Sequence, residues 1–219
     1  AAATGFIREA DSEPLGVAIV GGEAEGLSGL PFVKVVEEAK ADLVWNAGTG
    51  TIEHRIGGKV AEGVAVDGVR GVVAKFATLK WLKANAAFNP VDARVVSGDQ
   101  RYAVGATVEI SITGAQLPYL TAFNLPPDGR VEFFIPSTAQ EAQKDWRKDG
   151  VKESFKVDKP PYGAEQLVAI FSDEPLNGLH SVLQLMDTAT KAEPLQGVLA
   201  DALKGRKFQI GVLDIYTGS

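Results

Sequence analysis

The sequence predicts an α+β protein, with an N-terminal α/β sandwich domain followed by a mainly antiparallel β-sandwich domain that carries short C-terminal helices. Three observations predict this fold class. Apolar residues recur at helical spacing in the first half, they alternate with polar residues in the second, and the polar segment Ser97–Asp99 separates the two patterns. We therefore predict a small α/β domain over 1–98 and a β-rich domain over 99–219.

The first half alternates strands and helices. Leu15–Val20 is a short apolar run that ends at two glycines, which predicts a buried strand. The run from Phe32 to Ala39 follows Pro31 and has apolar residues at i, i+3, i+4 and i+7, so it predicts a helix. Ala41–Trp45 and Thr51–Arg55 flank a glycine-containing turn and predict a β-hairpin.

A long amphipathic helix is predicted from Gly68 to the Asn89-Pro90 dipeptide. Its apolar residues recur on one face, and three lysines are expected to point to water: Lys75, Lys80 and Lys83. Val91–Val96 then returns as another strand, which gives a β-α-β-β-α-β order with helices packed on a sheet.

The second half has the period-two pattern of antiparallel strands. Thr107–Thr113 alternates polar and apolar residues, as a half-buried strand does. Tyr119–Leu125 and Val131–Ile135 flank the tight-turn sequence Pro126-Pro127-Asp128-Gly129, which predicts a hairpin with Gly129 at a positive φ.

The rest of the sequence predicts a polar surface segment, a core strand, two helices and a final strand. Pro136–Lys152 is polar, with Trp146 as its only large apolar side chain, so we expect a surface excursion there. Leu167–Phe171 is a continuous apolar run suited to the centre of a sheet. The last three predicted elements are helices over Leu179–Met186 and Pro194–Gly205 and a strand over Phe208–Tyr216.

The composition is that of a globular protein and excludes several functions. Of the 219 residues 45% are hydrophobic, and 22 basic against 28 acidic residues give a formal net charge of -6. An acidic chain repels a phosphate backbone, so we expect no nucleic-acid partner. We also expect a soluble chain, because no apolar run could cross a bilayer and Ala1–Phe6 lacks the features of a signal peptide. A targeting or catalytic segment upstream stays open.

Cysteine is absent from the sequence. Disulfides, thiolate metal ligands and a cysteine nucleophile are therefore excluded within these residues. The absence favours a periplasmic or secreted location over a cytoplasmic one, although small cytoplasmic domains also often lack cysteine.

Two glycine-rich segments have partial nucleotide-binding patterns. Gly21–Ser28 has the glycine spacing and hydroxyl of a phosphate loop, but Leu27 stands where the lysine belongs, and Glu23 and Glu25 add negative charge. Gly48–Gly50 is only the first half of a dinucleotide fingerprint. We interpret the first as a plain loop and the second as a turn, and we expect neither ATP nor GTP to bind.

Four further side-chain patterns were weighed for catalysis or binding. The two histidines, His54 and His180, lack a second histidine or a close acidic partner at metal-ligand spacing. His180, Ser181 and Asp187 suggest a hydrolase triad, but Ser181 lacks the glycine-flanked elbow and a helix explains the segment better. Glu37 and Glu38 are neighbours on a solvated face rather than opposed across a cleft. Four aromatic residues on predicted strands could line a groove, but we assign them to the apolar core: Tyr119, Phe123, Phe133 and Phe134. We assign no catalytic, cofactor-binding or metal-ligating residue, and we predict no cofactor.

An ordered set of short motifs runs from Gln100 to the C-terminus. Its members are Tyr102–Ile110, Pro118–Leu125, Asp128–Val131, Phe134–Pro136, Pro161–Gly163 and Glu165–Ser172. This combination resembles a bacterial domain of unknown function that commonly follows caspase-like peptidase domains. The segment around Ala41–Val44 is similar, more vaguely, to the linker between such peptidases and this domain.

The resemblance implies a non-catalytic accessory, binding or regulatory region of a larger bacterial protein with a caspase-like cysteine peptidase domain upstream. Such peptidases need a histidine and a cysteine, and this chain has no cysteine, so the activity does not carry over to it. The expected partner is an upstream domain of the same polypeptide or another protein. The alternative is an envelope-associated structural or ligand-binding module without a peptidase partner.

Overall fold

The structure, a computed structural model, describes residues 13–56, 58–187 and 191–218. It consists mostly of β-strands in three sheets, with a few helices. The chain start considered above for a signal peptide lies outside the described residues. Within the described ranges, no helix is long and apolar enough to span a membrane.

The first sheet has the order β2-β1-β3-β4-β5. Its strands are β1 (Leu15–Val20), β2 (Val33–Val35), β3 (Leu43–Asn46), β4 (Thr51–His54) and β5 (Gly58–Ala61). β1 runs parallel to β2 and to β3, whereas β3, β4 and β5 are antiparallel. The predicted buried strand and the predicted hairpin are therefore confirmed.

The helix predicted from Phe32 to Ala39 is wrong. Val33–Val35 forms β2, held against β1 by Leu15 N–H donating to the carbonyl of Phe32 at 2.8 Å, and only Glu38–Lys40 makes a single 3₁₀ turn. Phe32 has a φ of 61°, which no right-handed helix accepts. The valines that follow are β-branched and fit a strand better than a helix.

The long helix α1 (Val66–Ala86) is confirmed and is followed by β6 (Asp92–Val95). β6 does not return to the first sheet, so the predicted β-α-β-β-α-β order is wrong at its last strand as well as at its first helix. Instead, β6 pairs with β8 (Thr107–Thr113), because Pro90 bridges to Ile210 and directs the chain to the second half. The pairing joins residues on both sides of the predicted boundary at 98 and 99, and the boundary itself stays a prediction.

The second half contains two further sheets. The central sheet has the order β10-β9-β12-β13-β7, and the small sheet has the order β11-β8-β6. The remaining strands are β7 (Arg101–Ala103), β9 (Tyr119–Leu125), β10 (Glu132–Ile135), β11 (Val151–Lys156), β12 (Gly163–Ser172) and β13 (Phe208–Gly218). The hairpin of β9 and β10, the core strand within β12 and the closing strand β13 are confirmed.

Three helices follow α1: α2 (Ala139–Ala142), α3 (Asn177–Met186) and α4 (Leu195–Leu203). The last two confirm the predicted C-terminal helices. The polar segment Pro136–Lys152 contains α2 and the start of β11. Trp146 fixes this segment to the protein, because its ring is buried in the core between the central and small sheets.

The structure has three apolar cores. The helix core lies where α1, α3 and α4 cover one face of the central sheet, and the sandwich core lies between the other face and the small sheet. A third core joins the first sheet to α1. Strand β13 contributes to all three, through Ile210, Ile215 and Tyr216 respectively.

The turn between β9 and β10 lies directly on α1. Gly129 has a φ of 76°, as predicted, and a Cβ added there would lie 2.6 Å from the amide nitrogen of Val72 and closer still to the carbonyl group of Gly71. Glycine is thus required at this position both by its backbone conformation and by the packing of the turn against the helix.

We expect Gly129→Ala to lower the free energy of unfolding by about 2 to 5 kcal/mol, since strain at positive φ adds to a backbone clash. Urea denaturation measures the change. Gly114→Ala is the matched control, because Gly114 has a φ of 79° and open space around its Cβ position. The control should lose only about 1 to 2 kcal/mol. Equal losses of free energy in the two variants would contradict the predicted clash, because they would show that the α1 backbone moves away from the added methyl group.

Candidate binding groove

A groove opens between the two edge strands β10 and β11, where the central and small sheets part. It consists of two adjoining cavities of about 340 Å³ each, which share Glu132, Phe155 and Glu165 in their linings. One end is apolar, with Phe134 and Leu167 on its walls, and the other is lined by prolines.

Three glutamates lie on the groove side of the strands that border it; Glu132 and Glu165 are partly buried, and Glu153 is exposed. Glu165 of β12 lies on the same face as Leu167 and Phe171, which belong to the sandwich core. Glu153 of β11 pairs with Ile110, also a sandwich-core residue. Glu132 of β10 pairs with Asn124 of β9. The strands thus bring charged residues to the edge of an otherwise apolar interior.

Asn124 joins two of these glutamates. Its Nδ2 donates to Oε2 of Glu132 at 3.2 Å and also to Oε1 of Glu165. Burial and the nearby Glu132 raise the pKa of Glu165, against the opposing effects of Asn124 and Lys75. A cationic group that entered the groove would offset the unfavourable effects of burial and of Glu132 on the Glu165 carboxylate.

The proline-lined end carries a second group of charges. Arg130 Nε donates to Oδ2 of Asp128 at 2.7 Å, and its Nη2 lies 3.7 Å from Oε1 of Glu132. Lys156 and Lys159 also line this end. The groove is therefore acidic at its centre and mixed in charge toward the prolines.

The two edge strands differ in how their outer backbone groups are satisfied. On β10, the backbone N–H of Phe133 donates to Oδ1 of Asp187 at 2.9 Å, so this donor already has a hydrogen-bond partner. β11 is the terminal strand of the small sheet and has no partner on its outer side within the described ranges. An added extended segment would therefore find backbone partners on β11.

Lys75 lies beneath the groove, on the opposite side of the central sheet. It was predicted to point to water, and this is wrong: its side chain is fully buried. Nζ donates to the carbonyls of Pro126 at 2.9 Å and Ala164 at 2.6 Å, which fastens α1 to the two chain segments leading to the groove. Burial lowers the pKa of Lys75 to about 7, although Glu165 and other carboxylates act in the opposite direction.

The structure does not bring the suggested triad together. His180 Nε2 lies 2.8 Å from the Thr121 hydroxyl, the Ser181 hydroxyl donates to the carbonyl of Asn177, and Asp187 accepts from Phe133. Burial lowers the pKa of His180 to about 4, so the ring is neutral at pH 7. The helix interpretation of this segment is confirmed.

The glycine-rich candidates also have local explanations. The carbonyls of Gly26 and Ser28 accept bonds from Arg70 Nη1 at 3.3 and 2.9 Å, and the loop runs into β2 rather than into a helix of useful length. Gly48–Gly50 lies in the turn between β3 and β4, with Gly50 at a φ of 66°. Glu37 and Glu38 are exposed neighbours, as predicted.

The remaining candidates are dispersed. His54 lies on β4, far along the chain from His180, and no three histidine or carboxylate groups within the described ranges are placed to hold a metal ion. Of the four strand aromatics, Phe123 is buried in the helix core and Phe133 packs against it. Phe134 instead lines the groove as well as packing on the sandwich core.

The groove residues themselves were missed at the sequence level. Asn124 lies within the predicted strand Tyr119–Leu125, and Glu165 lies just before the predicted core strand Leu167–Phe171, which the structure extends back to Gly163. A polar residue at an inward position is a signal that a sequence can supply. Glu132 carries the same signal, but only once its pairing with Asn124 is known.

Comparisons with known proteins add little to this geometry. No family model matches the chain, and no curated protein matches it either. Among solved structures, the chain is similar to the PKD domain of an M14-like peptidase from Thermoplasmatales archaeon SCGC AB-540-F20, with 16% identity and a TM-score of 0.27 over 60% of this chain and 99% of that one. A likeness at this TM-score supports no argument about fold or function.

We expect stability to rise as the pH increases from about 7 to about 10.5, because the unfolded chain keeps the Lys75 proton over this range while the native chain releases it. Lys75→Met should flatten this part of the stability curve. Urea denaturation at pH 7, 8, 9 and 10 measures the slope. Lys148→Met, at an exposed position, is the control and should leave the slope unchanged. Identical slopes in the native protein and Lys75→Met would contradict the buried-amine assignment.

Proposed function

We propose that this chain is a non-catalytic binding region of a larger bacterial protein, and that its groove binds an extended peptide segment carrying a lysine or arginine. The observation that supports this function is the set of three inward glutamates, Glu132, Glu153 and Glu165, at the margin of an apolar groove between two edge strands. Shape, backbone and charge each limit what the groove accepts.

The shape and the backbone favour an extended chain. A peptide that lies alongside β11 pairs with the free outer edge of that strand and places alternate side chains toward the sandwich core. The apolar wall formed by Phe134, Phe155 and Leu167 can then receive an apolar side chain beside the charged one. A compact ligand would leave the edge of β11 unpaired.

The glutamates select the charge of the peptide. A neutral strand added here would bury carboxylates without a counter-charge, which is strongly unfavourable. A lysine or arginine side chain supplies that counter-charge and can donate hydrogen bonds to the carboxylates. The same groups therefore attract one class of peptide and exclude the others.

The proposal extends to the parent protein. We infer that a caspase-like peptidase domain lies upstream, on the strength of the motif resemblance described above, and that the groove holds a basic segment of that domain or of another protein. Within one polypeptide even weak contact suffices, because a short linker gives an effective concentration of about the millimolar range. A periplasmic or secreted location remains part of this proposal.

We expect a fluorescein-labelled peptide with the sequence Thr-Val-Thr-Arg-Thr-Val-Thr to bind with a Kd on the order of 10 to 100 μM. Replacing its arginine with norleucine or glutamate should weaken binding at least about tenfold, because the groove carboxylates lose their counter-charge. Fluorescence anisotropy at low and high salt gives the affinities, and added salt should weaken binding of the arginine peptide.

The matching protein variants locate the site. Glu132→Gln and Glu165→Gln should each weaken binding of the arginine peptide about tenfold, whereas Glu109→Gln, which removes a charge from the outer face of β8, should not. The proposal fails if the three peptides bind equally well, if none binds, or if Glu109→Gln has the same effect as the groove variants.

We expect the isolated chain to cleave no peptide, since no serine has an assembled base and oxyanion site within the ranges the structure describes. The assay uses peptides with basic or acidic residues at the cleavage point. A full-length parent truncated before Leu15 should differ from the intact parent in substrate range, turnover or stability. Cleavage by the isolated chain would refute the non-catalytic assignment. Equal substrate range, turnover and stability in the intact and truncated parent proteins would refute a regulatory role.

A further inference from the structure

The hydrogen bonds around β11 show which way its backbone groups point. Val157, just after the strand, donates its N–H to the carbonyl of Ala106 at 2.9 Å, and its own carbonyl accepts from Gly105 at 2.6 Å. Both backbone groups of Val157 therefore point toward the β8 side. On β8 itself, the carbonyl of Glu109 accepts from Val96 at 2.8 Å and points the other way, toward β6.

This alternation fixes which backbone groups of β11 face outward. Successive residues of an antiparallel strand direct their backbone groups to opposite sides. Glu109 faces β6, so its neighbours Val108 and Ile110 face β11, where they pair with Phe155 and Glu153. The other residues of the strand direct their N–H and C=O groups to the outer edge: Lys152, Ser154 and Lys156. Within the described ranges these outer groups have no hydrogen-bond partner.

A peptide strand that pairs with these groups points every second side chain into the groove. Its residues opposite Ser154 and Lys156 form hydrogen-bonded pairs, and their side chains lie on the outer face of the small sheet. Its residues opposite Glu153 and Phe155 form the non-hydrogen-bonded pairs, in which side chains approach more closely. These residues share the face of Phe155, which packs on the sandwich core, and so they face the groove.

The two groove-facing positions have different surroundings. Phe155 lines both cavities of the groove, together with the shared carboxylates of Glu132 and Glu165. Glu153 lines only the apolar cavity, where Phe134 forms part of the wall, and its own carboxylate is exposed to water. A side chain opposite Phe155 therefore meets two partly buried carboxylates, whereas a side chain opposite Glu153 meets an apolar wall.

A third groove-facing position lies opposite Val157. Prolines and charged groups of both signs line the cavity there, among them Arg130, Asp158 and Lys159. These surroundings favour a polar side chain over an apolar one. Along the direction of β11, the three positions are therefore apolar, then acidic, then mixed in charge.

We propose that the groove recognises a directional motif, in which a lysine or arginine is followed two residues later by an apolar residue. This motif rests on the peptide-binding function proposed above. The peptide runs antiparallel to β11, like every other pairing in the small sheet, because antiparallel ladders are slightly more stable than parallel ones. The basic residue then lies opposite Phe155, and the apolar residue lies opposite Glu153.

Two labelled peptides of identical composition test the direction. We expect Thr-Thr-Thr-Arg-Thr-Leu-Thr to bind at least about fivefold more tightly than Thr-Leu-Thr-Arg-Thr-Thr-Thr, because only the first places leucine against the apolar wall in an antiparallel strand. Fluorescence anisotropy with the full chain gives both affinities. If Thr-Val-Thr-Arg-Thr-Val-Thr binds but these two peptides do not differ, or differ in the opposite sense, the directional motif is overturned and the groove stands. If no peptide binds, the proposed function is overturned as well.

Methylation of single backbone nitrogens of the first peptide tests the register. Methylating the threonine on either side of the arginine removes an N–H that pairs with Ser154 or Lys156, so each change should weaken binding at least about tenfold. Methylating the arginine nitrogen is the matched control, because this N–H points away from β11, and the affinity should change less than about twofold. Equal effects of the three methyl groups would overturn the pairing with β11.

Phe134→Ala locates the apolar position. The variant should abolish the preference between the two leucine peptides, because the leucine loses its wall, and should leave the affinity for Thr-Thr-Thr-Arg-Thr-Thr-Thr unchanged. Leu185→Ala, at an exposed position on α3, is the control and should keep the preference. A preference that persists in Phe134→Ala contradicts the placement of the leucine. The methylated peptides need no protein variant, so the register is tested even if Phe134→Ala does not fold.

Discussion

The packing of α1 between two sheets is the constraint on which the rest of the structure depends. Val69 and Val72 pack on the first sheet, while Leu79 and Leu82 belong to the helix core over the central sheet. A helix buried on more than one side cannot move toward one sheet without opening a gap at the other. The buried amino group of Lys75 fixes the helix further, because its two acceptor carbonyls lie in chain segments far apart in sequence.

The groove follows from this arrangement. Lys75 holds the backbone at Ala164, one residue before Glu165, which faces the groove. Successive residues of a strand point to opposite faces, so Gln166 lies on the other side of the sheet and is buried there. The inward glutamates also protect the open edges, since they make pairing with an apolar strand of another molecule unfavourable.

Much of the second half could be predicted from the sequence because its signals are local. The alternation in β8 and the proline-glycine turn before β10 act over a few residues, and both were interpreted correctly. Lys75 shows the limit of such reasoning: helical spacing places it near an exposed face, but only the approach of β12 and the Pro126 turn buries it. The partner of β6 likewise depends on the bridge from Pro90 to Ile210, which joins residues 120 positions apart.

The helix predicted at Phe32–Ala39 failed for a different reason. Its apolar spacing fits a helix over barely two turns, a length at which a pattern of valines fits a strand equally well. The groove was missed because it is assembled from several segments. The strand register pairs Glu132 with Asn124, and a side-chain hydrogen bond then joins Asn124 to Glu165 on the next strand.

The position of β13 governs when the molecule can fold. Residues 208–218 lie between β12 and β7 in the central sheet and contribute to all three cores. During synthesis the preceding residues emerge first, yet the helix core lacks Phe208 and Ile210, and the sandwich core lacks Leu213 and Ile215, until this strand has left the ribosome. Strand β7 pairs with β13 in parallel but lies more than a hundred residues earlier in the chain, so this pairing also needs β13 to be present. Assembly is therefore dominated by contacts distant in sequence, which make folding slow and leave the apolar strands exposed to chaperones until the last strand inserts.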